Sequence, residues 1–252
     1  MPPADLAPDP SAADLELVDD AHGLVLRRVV VGPLATNCWA IHPVGFRTSL
    51  LVDPGDEPDR LLDAVSDLTI AAIVVTHTHF DHVLALPELA DATGAPVYAH
   101  PAEQPVWVHE LDTLQRCGHF DAGTATAALR RAGHSLQPDQ GQLLWHGRPD
   151  HHLQDGDSLH AGPLTVQARH TPGHTPGSIS LTLPGHVLTG DTLFPGGPGL
   201  TGWPLSDFPT IITSVRRILD LPADTVVHPG HGRDTDIATE RPALASWMDR
   251  GW

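Results

Sequence analysis

Lysine is absent from this chain: all 14 basic side chains are arginine, set against 31 acidic ones, for a formal charge of −17. Binding a nucleic acid needs a clustered basic surface that releases counterions, so no DNA or RNA partner is expected. An anionic group on a ligand must instead be met by arginine, backbone amides or bound cations. Cysteine is nearly missing too. Cys38 and Cys117 cannot make a disulfide framework, and neither stands at a metal-ligand spacing. Cys38, inside Asn37-Cys38-Trp39-Ala40-Ile41, reads as a buried core thiol. No apolar run is long enough for export or a membrane span, so no membrane partner is expected and a cytoplasmic protein is the default.

Histidine, by contrast, occurs 18 times. Three of these and a carboxylate fall in Thr76-His77-Thr78-His79-Phe80-Asp81-His82, directly after the apolar stretch at residues 70–75. A short β-rich apolar run reads as a core strand, and the residues after it form the loop leaving its C-terminal edge. Side chains at i and i+2 of an extended chain point the same way. His77 and His79 can therefore converge on one ion, while Asp81 and His82, where the chain turns, face a second. Nitrogen and carboxylate donors without thiolate suit zinc, manganese or iron.

Three more candidates come later in the chain, each in a turn after an expected strand. His174 lies in His170-Thr171-Pro172-Gly173-His174-Thr175-Pro176-Gly177, Asp191 in Leu188-Thr189-Gly190-Asp191, and His231 in His228-Pro229-Gly230-His231-Gly232. Glycine and proline hold such turns rigid. A carboxylate such as Asp191 can bridge two cations.

Together with Gly32-Pro33-Leu34-Ala35-Thr36-Asn37-Cys38 and Val52-Asp53-Pro54-Gly55-Asp56, these motifs resemble, in order, the metallo-β-lactamase-fold hydrolases, nearest their short glyoxalase II-like branch. The resemblance runs from about Arg28 to the C-terminus. It implies an α/β fold, the αββα four-layer sandwich, with the site in a groove where strand-end loops meet. It assigns His77, His79 and His174 to a first metal, Asp81, His82 and His231 to a second, and Asp191 to the bridge, with Asp53 supporting from behind. Asp81 and Asp191 become the catalytic carboxylates. His170 neighbours a ligand position, but the family uses the later histidine of that turn; His228, three before His231, reads as a strand-end packing residue. Two ions lower the pKa of a shared water to about 7 and polarise a carbonyl, which implies hydrolysis of a small acyl substrate, a thioester first. Two divalent ions give roughly +4, which Asp81, Asp191 and one hydroxide reduce to about +1; such a centre favours a substrate with a nearby carboxylate.

The sequence also departs from that branch. It ends soon after the last ligand, without the helical extension that holds glutathione in glyoxalase II enzymes, and Val83-Leu84-Ala85 replaces a frequent glycine pair. Alternatives are a lactonase, a mononuclear iron oxidoreductase of the persulfide-dioxygenase type, and a non-catalytic module that retains metal. The oligomeric state is not legible.

At 252 residues and 40% hydrophobic, the chain can bury one substantial core. Residues 1–22, rich in proline, alanine and aspartate, read as a disordered acidic tail, and 23–252 as one domain with a helical insertion near 101–157. Strands are expected near 24–31, 36–42, 48–53, 70–75, 96–99, 164–169, 178–183, 186–190 and 224–228. Helices are expected near 57–67, 84–93, 102–116, 123–133, 208–219 and 235–248. The insertion, with Trp107 and Trp145, reads as a substrate cover, Trp203 as a groove wall, and His100 as a strand-end residue bordering the cleft. His146, His151 and His152 read as a solvated cluster.

Overall fold

Residue alternation along the strands builds the layers. In β3 (Thr36–Pro43) Trp39 and Ile41 turn to one face while Cys38 and Ala40 turn to the other, as a two-residue repeat requires. The computed structural model describes residues 14–117 and 143–251. Its first sheet runs in sequence order: β1 (Leu15–Asp19), β2 (Leu24–Val31), β3, β4 (Thr48–Val52), β5 (Thr69–Val74), β6 (Val97–Ala99) and β7 (His151–His152). The pairs are antiparallel up to β4 and parallel beyond it.

The second sheet contains β8 (Ser158–Ala161), β9 (Leu164–His170), β10 (Ile179–Leu183), β11 (His186–Gly190), β14 (Val226–Pro229) and β15 (Thr235–Asp236), in the order 15-14-11-10-9-8. A small ribbon, β12 (Leu193–Phe194) with β13 (Gly197–Pro198), stands apart. The inner faces meet in a core that joins Leu26, Trp39, Ile41 and Val74 to Val166, Ile179, Leu181 and Leu188.

Each outer face takes helices. α1 (Pro58–Ala64), α2 (Leu86–Thr93) and α3 (Gln104–Cys117) cover the first sheet, burying Leu61, Leu86, Leu89 and Trp107 against Leu51 and Ile73. α4 (Phe208–Leu219) covers the second. Its Ile211, Val215 and Ile218 recur at helical spacing and pack with Val187 and Val227. The Asp207 side chain caps this helix by accepting from Thr210 N. The four layers are thus helix, sheet, sheet, helix, as the motifs implied.

Two expectations need correction. The chain enters the fold at 15, not 23: β1 pairs with β2 along its whole length, and Asp14 Oδ2 holds Arg60 at 2.6 Å. Leu15 and Leu17 alternate with Glu16 and Val18, a signal too short to stand out from its Pro- and Ala-rich context. The helix expected at 235–248 is a strand residue pair followed by α5 (Ile237–Glu240), a 3-10 turn Arg241–Ala243 and α6 (Leu244–Arg250). Pro242 has no amide proton with which to continue α5. The helix expected near 84–93 is α2, preceded by a 3-10 turn over residues 80–82. The helix expected at 123–133 lies outside the described residues.

Candidate metal centre

The two sheets meet at one edge through backbone hydrogen bonds. Ile179 N donates to Thr76 O at 2.9 Å and Asn37 N to Gly230 O at 2.7 Å, while on the second sheet's side Gly230 N donates to Gly190 O at 2.8 Å. The loops after β5, β11 and β14 and the turn between β9 and β10 converge there, as strand-end loops do in sandwich and α/β folds. All seven residues singled out in the sequence meet at this edge. Their donor atoms form three overlapping groups, His77/His79/His174, His77/His82/Asp191 and Asp81/His82/His231, each with its atoms within 4.8 Å of one another. His77, Asp81, His82 and His174 are buried, whereas His79, Asp191 and His231 are partly exposed and open the cluster to one side.

The ring orientations follow from the groups that stand behind each one. The Nδ1 of His174 lies 2.8 Å from Leu200 O, and that of His231 3.0 Å from Leu34 O. A carbonyl only accepts, so both nitrogens carry the proton and both Nε2 lone pairs point inward. The Nδ1 of His82 donates to Asp53 Oδ2 at 2.9 Å. Thr76 Oγ1 donates to Asp53 Oδ2 at 2.6 Å and is left to accept from His77 Nδ1 at 3.1 Å. Asp53 also accepts from Thr76 N at 2.7 Å, so one carboxylate sets the start of the loop and aims two of its rings. It does so from a left-handed backbone, φ 52°, a conformation that aspartate tolerates better than most residues.

Inward-facing lone pairs then oppose one another. His82 Nε2 is 3.3 Å from His231 Nε2, and His174 Nε2 turns its lone pair toward His79 Nδ1 at 3.0 Å. His77 Nε2 and Asp191 Oδ1 are buried without a hydrogen-bond partner. Such an arrangement is unfavourable unless positive charge sits between the atoms, and the imidazole and carboxylate donors fit divalent transition ions. Asp191 reaches both sides: Oδ2 is 3.6 Å from His174 Nε2 and 3.5 Å from His231 Nε2, and Oδ1 is 3.6 Å from His82 Nε2. A side chain at 230 would take this space, since a Cβ there would lie 2.2 Å from Asp191 Oδ1.

The protonation tendencies agree. Burial holds the His77 and His79 rings well below the ordinary histidine value, which keeps them neutral, the form that coordinates. Burial also pushes His82 down, but Asp81, Asp53 and Asp191 outweigh it and raise the ring to about 10. The same carboxylates that demand a proton there would receive a metal cation in its place.

A further group at this site was not evident from sequence. Glu103, in the 3-10 turn Pro101–Glu103 before α3, is buried. Its carboxylate accepts from Thr78 N at 2.6 Å, Thr78 Oγ1 at 3.0 Å, Thr175 Oγ1 at 2.6 Å and Gly177 N at 2.7 Å. It therefore ties the loop between His77 and His79 to the turn that carries His174. In the sequence it is only an acidic residue at a helix start, where glutamate is common.

The remaining candidates lie around the cluster. Trp203 stands edge-on to His79 and His174, with ring centroids 5.5 and 5.0 Å away, and its indole donates to His174 O at 3.3 Å. Phe194 stacks on His231. His170 is turned away, bonded to Pro176 O and stacked on His100 at 4.0 Å. His100 also borders a cavity of about 450 Å³ that reaches Glu103, Trp145 and Arg148. His228 is buried in β14 opposite Leu188 of β11, its Nε2 3.0 Å from His186 Nδ1. Trp107 and Trp145 pack in the core under the first sheet, the Trp107 indole donating to Trp145 O at 2.7 Å. His146, His151 and His152 are exposed.

Sandwich, strand-end cluster and nitrogen–carboxylate donors define a metal-dependent hydrolase class, and the chain belongs to the metallo-beta-lactamase superfamily, whose profile matches residues 31–231. It is 34% identical to the probable metallo-hydrolase YqgX of Bacillus subtilis over 221 residues, covering 85% of this chain and 93% of that protein. It is 30% identical to the hydroxyacylglutathione hydrolase GloC of Haemophilus influenzae, covering 77% of this chain and 85% of the relative. Among solved structures, the di-iron-bound form of TTHA1623 superposes with a TM-score of 0.64 at 34% identity, over 85% of this chain and 96% of the other. No helix among the described residues is long and apolar enough to cross a membrane.

Proposed function

We propose that this protein is a binuclear metallohydrolase that cleaves a small acyl substrate, a thioester first. His77, His79 and His174 would hold one ion, Asp81, His82 and His231 the other, and Asp191 both. Zinc is the metal proposed, with iron or manganese compatible with the same donors. The ions supply activated water and a Lewis acid for the substrate carbonyl. The observation that carries this reading is Asp191, whose two carboxylate oxygens face histidines of both sets. The name of the Haemophilus relative, a hydroxyacylglutathione hydrolase, supports an acylated thiol as substrate.

The chain's own groups have separable tasks. Asp53 and the Leu34 and Leu200 carbonyls keep the imidazole protons on the outer nitrogens. Thr36 donates its hydroxyl to Asp81 Oδ2 at 3.0 Å, which fixes that carboxylate. Trp203 and Phe194 flank the open side and would border the acyl group and exclude water from it. A net charge near +1 at the loaded centre favours an anionic acyl substrate.

Metal quantification with a hydrolysis screen of thioesters, lactones and phosphoesters tests this. About two ions at the centre and turnover of thioesters are expected, and D191A should lose both metals and activity. A single oxygen-sensitive iron with no hydrolysis would instead support an oxidoreductase.

A further inference from the structure

A second group of metal-competent side chains lies at the other end of β11. Asp191 follows the last residue of that strand, and His186 is its first, about 16 Å away along an extended chain. His186 Nε2 lies 2.8 Å from Asp19 Oδ2, and His22 Nδ1 lies 2.7 Å from the same oxygen. Asp19 ends β1 and His22 sits in the turn to β2, so the cluster joins the first sheet to the second. The His22 ring rests directly on Gly185, where a Cβ would lie 2.5 Å from its Cε1.

From His186 the contacts continue inward to His228. His186 Nδ1 is 3.0 Å from His228 Nε2, and His228 Nδ1 is 3.1 Å from Asp234 Oδ1, off the hydrogen-bonding direction. The contact to Asp234 is not a hydrogen bond, so the two hydrogen bonds of this row are Asp19 with His186 and His186 with His228. With Nδ1–H of His186 donating to His228 Nε2, His186 Nε2 turns a lone pair toward Asp19, and a cation there would be received by both. Arg28, 3.3 Å from Asp234, already offsets charge at that end.

We propose that Asp19, His22 and His186 form an additional zinc site, distinct from the seven-residue centre. Their donor atoms all lie within 4.8 Å of one another. Two imidazoles and a carboxylate, with a fourth position open to solvent, are a known zinc donor set. The Nδ1–H of His186 donating to His228, itself backed by Asp234, is the outer support that a ligating histidine takes. His186 is buried while the His22 side chain is 42% exposed, which provides the entry path. Hydrogen bonds from His22 and His186 bring the Asp19 carboxyl down to about 2 although burial raises it, and burial lowers His186. Both groups are then in the form that coordinates. Seating an ion requires the donor contacts of 2.7–2.8 Å to open by about half an ångström, given bonds of about 2.0–2.1 Å.

The test is a zinc count on full-length protein equilibrated at about 1 µM free zinc, read as the difference between wild type and H22A. One ion fewer in H22A and in D19N, with unchanged thioester turnover, is expected. Zinc added to H22A already loaded at the catalytic centre should also give no further rise in melting temperature, whereas wild type should rise. Equal zinc counts in wild type and both variants would overturn the site. The difference does not depend on how many ions the catalytic centre holds, so its failure is distinguishable from failure of the binuclear reading.

Discussion

Glu103 Oε2 accepts the backbone N–H of Thr78 at 2.6 Å, and through this contact a residue outside the histidine motifs reaches between His77 and His79. Its other oxygen holds Thr175 and Gly177 beside His174. E103A would leave several buried donors unpaired, at a cost of about 1–3 kcal/mol each. We expect destabilisation of about 3 kcal/mol or more by denaturant unfolding. E103Q preserves shape but presents an amide to donors, and should weaken metal retention about tenfold against a competing chelator. Unaltered metal affinity in a folded E103Q protein would remove its positioning role.

Asp53 should act on metal affinity through His82 and Thr76 rather than by contact with an ion. Partners that orient ligating histidines typically contribute 10–100-fold in affinity. D53A is expected to lose that much at the second metal set, measured by chelator competition, with a smaller effect at the first. Equal loss at both would point to collapse of the loop through Thr76.

The Asp19 carboxyl offers a pH test on metal-free protein. Its folded value of about 2 lies below the ordinary value of about 3.9, so the folded state favours the ionised form. That contribution is complete above about pH 4 and is lost as pH falls toward 2. D19N lacks it. The stability gap between wild type and D19N, measured by denaturant unfolding, should shrink over this interval; a gap constant with pH would contradict the assignment.

Deleting residues 1–20 should destabilise the fold, because it removes β1 with its hydrogen bonds to β2 and the Asp14–Arg60 and Asp19–His186 contacts. Each net hydrogen bond contributes about 0.5–1.5 kcal/mol, so a loss of about 2 kcal/mol or more and a fall of roughly 4–8 °C in Tm are expected. An unchanged Tm would show that β1 adds nothing to the sheet.

Much of the centre was legible because its chemistry is local. The i, i+2 spacing of His77 and His79 at a strand end, and the turns around His174, Asp191 and His231, each lie within a few residues of an apolar strand. The layered sandwich was implied by the family those motifs resemble, and the structure realises it through two-residue alternation in the strands and the helical spacing of Ile211, Val215 and Ile218. What the sequence determined by itself was thus donor type, order and strand-end placement. Asp53 was implied as a support by the resemblance, but only the tertiary structure decided which candidate ligand each polar group backs, and it alone brought in Glu103. Asp53 meets His82 across 29 residues, Glu103 meets Thr175 across 72, and Asp19 meets His186 across 167. Hydrophobic periodicity records which face of an element is buried, but it carries no record of which buried polar atom another distant one will pair with. Those pairings are set when the two sheets close against each other.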